Sequence, residues 1–109
     1  MKAASPLLLV RARPRRGVEA EFERWFRTVH LRDVRRIPGF ASVRLARTPN
    51  GTLLGIYEFA GEESVQQALN SPQAAYARGT WERWIPHLEE FLVELFAPLT
   101  SVPLFRSRN

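Results

Sequence analysis

A chain of 109 residues is one domain's worth, and a domain of that size hides roughly two-thirds of its unfolded surface. It has no cysteine, which excludes disulfides, thiolate zinc sites and a cysteine nucleophile and suits a cytoplasmic protein. The net charge of +5 is uneven: residues 1–47 hold twelve Lys/Arg against four Asp/Glu, and residues 48–109 hold four against seven. Runs of like charge are ordinarily solvated, so the basic half reads first as an arginine-rich surface.

The N-terminal apolar run at residues 7–10 is too short for a signal core, and Arg11 and Arg13 break it. No stretch approaches the length of a membrane span. Residues 7–13 then read as a first strand, followed by a turn at Pro14-Arg15-Arg16-Gly17. From about 18 to 36, Val18, Phe22, Trp25, Phe26, Val29 and Val34 recur at helical spacing, and Pro38-Gly39 ends the helix. Residues 40–48 and 52–60 form two strands joined by Pro49-Asn50-Gly51, a sequence suited to a type I turn closed by a G1 bulge. That register sets Ser42 opposite Glu58 and Arg44 opposite Ile56, with Ala41, Val43, Leu45, Leu53, Gly55, Tyr57 and Phe59 on one face. A broken helix follows from Glu62, restarting at Ser71-Pro72, interrupted at Gly79-Thr80 and ending near Pro86. Residues 90–96 read as the last strand, and residues 97–109 as an irregular tail with unexpectedly apolar Leu104 and Phe105.

Strand, helix, strand, strand, helix, strand is the ferredoxin-like βαββαβ pattern: one α+β domain over 1–109, with its core at about 7–96 and a four-stranded antiparallel sheet. Helices cover the face bearing Leu8, Val10, Val43, Tyr57, Phe59 and Val93. The other face carries Leu7, Leu9, Leu54, Ile56, Leu92 and Phe96 beside Arg11, Arg44, Glu58 and Glu94. Such a face is too apolar for water, and pairing with a second sheet in a homodimer answers both its apolar area and its charges.

The helix-one phrase Glu21-Phe22-x-x-Trp25-Phe26-x-x-x-His30-Leu31, followed by Pro38-Gly39-Phe40 before a hairpin, resembles the EthD-like branch of the dimeric α+β barrel superfamily. The resemblance covers about residues 7–96. It implies a barrel made from two sheets and a small cavity between each sheet and its own helices. Relatives of this kind include polyketide cyclases, lactone isomerases, cofactor-free monooxygenases and haem-degrading enzymes, so the resemblance speaks more for fold and dimer than for function.

His30 lies four residues from Phe26 and from Val34, near the apolar helix face, where a neutral imidazole can act as acid or base; the plainer reading is a core histidine. Tyr57 faces the same compartment, and a Tyr–His pair could hold a phenolic or enolic ligand. Phe22 and Phe26 line the helix's inner face, while Tyr76, Trp81 and Trp84 form a candidate aromatic lid and His87 a candidate for the pocket mouth. Large aromatics at such spacing equally fill a core. Two histidines 57 residues apart give no metal site, and Asp33, though at i+3 from His30, pairs more naturally with Arg32 or Arg36. No cofactor is predicted, although an aromatic pocket with His30 and His87 leaves haem open. The leading expectation is a dimeric barrel that binds a small, flat, apolar or aromatic molecule and acts as a cyclase, isomerase or cofactor-independent oxygenase with His30 as acid/base. The alternative is a non-catalytic ligand-binding or regulatory domain. RNA binding ranks third, because an RRM stacks bases on aromatics of its first and third strands, and Leu7, Leu9, Leu54 and Ile56 stand there instead.

Overall fold

The protein is described by a computed structural model over residues 5–99; the tail residues Leu104 and Phe105 lie outside the described residues. Strands β1 (Leu7–Pro14), β2 (Phe40–Arg47), β3 (Leu53–Phe59) and β4 (Leu88–Phe96) form one sheet in the order β2-β3-β1-β4, with every neighbour antiparallel. Helices α1 (Glu19–Trp25) and α2 (Leu31–Arg35) link β1 to β2, and α3 (Glu63–Leu69) and α4 (Pro72–Thr80) link β3 to β4. All four lie over one face of the sheet. This is the ferredoxin-like βαββαβ arrangement anticipated from the element order. Among the described residues no helix is long and apolar enough to cross a membrane.

The hairpin register matches the turn chemistry. Ser42 pairs with Glu58 and Arg44 with Ile56, and Thr48 N–H donates to the Thr52 carbonyl at 2.8 Å. Gly51 has φ +89°, the left-handed conformation that the position after a type I turn requires. Strand β3 alternates cleanly, with Leu53, Gly55, Tyr57 and Phe59 buried under the helices and Leu54, Ile56 and Glu58 turned away.

Three boundaries depart from the sequence reading. A bulge between Phe40 and Ser42 turns Ala41 out to solvent, and Phe40 takes its place on the helix-covered face, 4.8 Å from the Phe59 ring. Strand β4 begins at Leu88, two residues earlier than expected, because a bulge at Arg13/Pro14 lets Leu88 pair with Pro14. The first helix is not a regular α-helix: residues Phe26–His30 form a π turn between α1 and α2.

The core packs Phe22, Trp25 and Phe26 against Trp81, Trp84, Leu53 and Leu88. Phe22 stands edge-on to Trp84 at 5.1 Å, and Trp25 to Trp81 at 4.9 Å, geometries that aromatic quadrupoles favour. By contrast, β4 is poorly covered. Phe91, Val93 and Leu95 on its helix side and Leu92 and Phe96 on its other side are all between 39% and 53% exposed.

Candidate functional site

The π turn places His30. In a regular α-helix a four-residue step drifts by roughly 40° around the axis, so Phe22, Phe26, His30 and Val34 would fan out over about a third of a turn. The wider turn at Phe26–His30 absorbs that drift, and all four residues are no more than 2% exposed. His30 is enclosed by rings: Trp81 edge-on at 4.9 Å, Phe26 stacked at 5.1 Å and Trp25 stacked at 5.5 Å.

Tyr57 reaches the same point from the sheet. Its Oη lies 2.5 Å from His30 Nε2, a short hydrogen bond that joins helix and sheet. The His30 Nδ1 is buried and has no partner among the described residues. Burial holds the imidazole well below its ordinary value, at about 4, and pushes the Tyr57 hydroxyl up. Both groups are therefore neutral at neutral pH.

Beside this pair lies a cavity of about 380 Å³ between the sheet and the helices that cover it. Leu8 and Val10 of β1 and Phe40 and Tyr57 of the hairpin form its floor. The far wall comes from Ala68 on α3 and Ala74 and Ala77 on α4, whose small side chains leave the space open. Ser71 fixes the angle between those helices: its Oγ accepts from Ala74 N–H at 3.1 Å and donates to the Ala68 carbonyl at 2.7 Å. The mouth opens where the exposed lining residues Arg78, Glu82, Ile85, Phe91 and Val93 gather, between the end of α4 and β4. Among the described residues that line the cavity, the polar side chains are the His30–Tyr57 pair at depth, Arg78 and Glu82 at the rim, and the indole of Trp81. Arg78 is held by a bond from its Nη1 to the Leu69 carbonyl at 3.2 Å.

No protein-family model matches the chain, and no curated protein matches it by sequence. Solved structures do. An EthD-family protein from Bacillus halodurans superposes with a TM-score of 0.69 at 17% identity, over 86% of this chain and 99% of that one. The cofactor-independent oxygenase SnoaB from Streptomyces nogalater gives 0.64 at 22% identity, over 92% and 99%. A candidate antibiotic biosynthesis monooxygenase from Deinococcus radiodurans gives 0.69 at 8% identity, over 93% and 99%. The chain shares the ferredoxin-like α+β fold of these structures. At these identities the likeness is one of fold.

Within this fold the residues singled out from the sequence separate into three groups. His30, Tyr57 and Trp81 line the cavity. Phe22, Phe26 and Trp84 lie in the packed core behind them and do not line it. Tyr76 is 61% exposed on the outer side of α4, and His87 is exposed beside Trp84, so neither faces the cavity. The two histidines thus share no common space. Asp33 is buried on α2, with Arg32 Nε 3.4 Å from Oδ1. Sequence reasoning passed over Val34, Ile37, Phe91 and the three alanines of the far wall. Their signal was present only as ordinary apolar periodicity, which does not say whether an inward side chain meets another side chain or a void.

Proposed function

We propose that the cavity binds a small, flat, largely apolar molecule with one oxygen at its buried end, and that the His30–Tyr57 pair holds and polarises that oxygen. The observation that carries this reading is a neutral, hydrogen-bonded polar pair set in an otherwise apolar cavity of about 380 Å³. That volume is in the range of small-molecule pockets, where apolar walls supply affinity and a few polar groups fix orientation.

Without a ligand, either tautomer of His30 leaves one buried donor unpaired: Nδ1–H if Tyr57 donates to Nε2, or the Tyr57 O–H if Nε2–H donates to Oη. A ligand oxygen beside the phenol satisfies the second pattern, in which His30 donates to Tyr57, Tyr57 donates to the ligand and Nδ1 is a bare lone pair. A histidine at about 4 is roughly two orders of magnitude weaker as a base than an ordinary one. Its first role is to orient and polarise Tyr57; negative charge developing on the ligand oxygen would raise its basicity and bring it into acid–base use in a cyclase, isomerase or cofactor-independent oxygenase reaction. The same low basicity favours the second reading, binding without turnover in a regulatory or carrier role.

The oligomer proposed here is a homodimer that buries the open sheet face, on which Leu7, Leu9, Leu54, Ile56, Leu92 and Phe96 project together. In the protomer Arg11 Nε already meets Glu90 at 3.3 Å and Ser42 Oγ donates to Glu58 at 3.4 Å. The charges on that face are therefore partly matched before any partner arrives.

Titration with 1-tetralone, a compact aromatic ketone, tests the cavity. Tryptophan emission is expected to be quenched through Trp81, to lose that response in Trp81→Phe and to keep it in Trp84→Phe. Tyr57→Phe should weaken binding about tenfold, the worth of one hydrogen bond. A quench that persists unchanged in Trp81→Phe would place the ligand elsewhere.

A further inference from the structure

We infer that Gly55 is a positioning residue of the site: the space left by its missing side chain is where the Tyr57 phenol lies when it meets His30. This rests on the reading of the cavity as a binding site, but it concerns how the site is assembled rather than what enters it.

Gly55 and Tyr57 are two residues apart on β3 and project to the same buried face. Side chains at such positions normally stand side by side. Here the phenol folds back along the strand. A Cβ on Gly55 would fall 2.5 Å from Tyr57 Cζ and 2.8 Å from Cε1, and nearer still to Oη. Real Cβ atoms essentially never approach another heavy atom within 3.0 Å. The ring has little room to yield, since Tyr57 is 2% exposed, packed edge-on to Phe40 at 5.7 Å and bonded to His30. Backbone conformation does not explain the glycine, because among the positive-φ glycines are Gly17, Gly39 and Gly51 but not Gly55. Glycine inside a strand otherwise costs stability, and it recurs where another group must come close.

Alanine at this position must push the phenol aside. His30 Nε2 then loses its partner, and the imidazole, already without a partner on Nδ1, is left buried with neither nitrogen satisfied. Gly55 thus couples helix to sheet where both contribute a polar group to the cavity.

The experiment uses the full chain labelled with ¹⁵N-histidine, in which surface-exposed His87 serves as the internal reference. In Gly55→Ala the His30 ring-nitrogen signals are expected to move to the positions seen in Tyr57→Phe. The thermal midpoint should fall by about 5 °C or more, the shift of roughly one lost buried interaction in a domain of this size. In a Tyr57→Ala background the same Gly55→Ala change should leave the midpoint unchanged or raise it, because the ring is gone. Wild-type His30 signals in Gly55→Ala would overturn the assignment, and so would an equal loss of stability in both backgrounds. If Gly55→Ala fails to fold alone, folding of Gly55→Ala/Tyr57→Ala supports the proposal and its failure overturns it. No ligand enters either measurement, so its outcome is separable from that of the 1-tetralone titration.

Discussion

His30 has lost its water to Trp25, Phe26 and Trp81 without gaining a charge partner, and that has a direct consequence for stability. Its folded value of about 4 lies below the unfolded value near 6.5. Between the two the unfolded chain binds the extra proton, so stability is complete above about pH 6.5 and is lost as pH falls toward 4. The gap corresponds to an order of 3 kcal/mol. Denaturant unfolding at pH 7 and pH 4.5 should show a larger loss for wild type than for His30→Gln, which cannot titrate. Equal losses would mean that the imidazole is hydrated in solution. Turnover or ligand binding, once assayed, is expected to fall at least tenfold in His30→Ala with the fold retained. That His30 and Tyr57 share one side of the sheet was legible in the sequence, because strand alternation and helical spacing each assign a face. Their meeting at hydrogen-bond distance was not, since it depends on Gly55. In the sequence that glycine reads as one more apolar member of a strand face, although an isolated glycine inside a strand is itself a sign of close approach.

At the scale of elements, the π turn changes how the first helix tolerates length. Removing one residue from an ordinary α-helix rotates everything beyond it by about 100° and turns the buried face out. Here residues Phe26–His30 already hold one residue more than an α-helical turn. Deleting the exposed Thr28 should therefore leave a regular helix with Phe22, Phe26 and Val34 still inward, whereas inserting an alanine after Thr28 should unfold the protein. Circular dichroism melts of the two variants compare these outcomes; equal damage would show that the turn does not set the helix faces. The deletion also shifts His30 by about 1.5 Å along the axis, enough to part it from Tyr57. Strands, hairpin register and helix breaks were readable because alternation, Pro49-Asn50-Gly51 and Ser71-Pro72 are local signals. The π turn and the Ala41 bulge were not, because each is chosen by tertiary fit between one apolar face and the sheet, with no local residue that demands it.

For the molecule as a whole, the proposed dimer has the simplest test. Burying Leu7, Leu9, Leu54, Ile56, Leu92 and Phe96 is worth on the order of 10 kcal/mol before the costs of association. Ile56→Asp places a carboxylate in that seam near Glu58 and should split the pair. Light scattering at micromolar concentration should give twice 12.5 kDa for wild type and 12.5 kDa for the variant; a wild-type mass of 12.5 kDa would remove the barrel assembly from consideration. The position of β4 carries a further consequence. It completes the sheet by pairing with β1 over its whole length, from Leu7 with Phe96 to Pro14 with Leu88. Strand β1 thus receives one of its two neighbours only after the helices, β2 and β3 that intervene in the chain have been made. Until then β1 presents an unpaired edge, and the cavity lacks the side that Phe91 and Val93 supply. Contacts between strands so far apart in sequence close slowly, so until β4 docks the folding chain keeps an open strand edge with which another chain can pair.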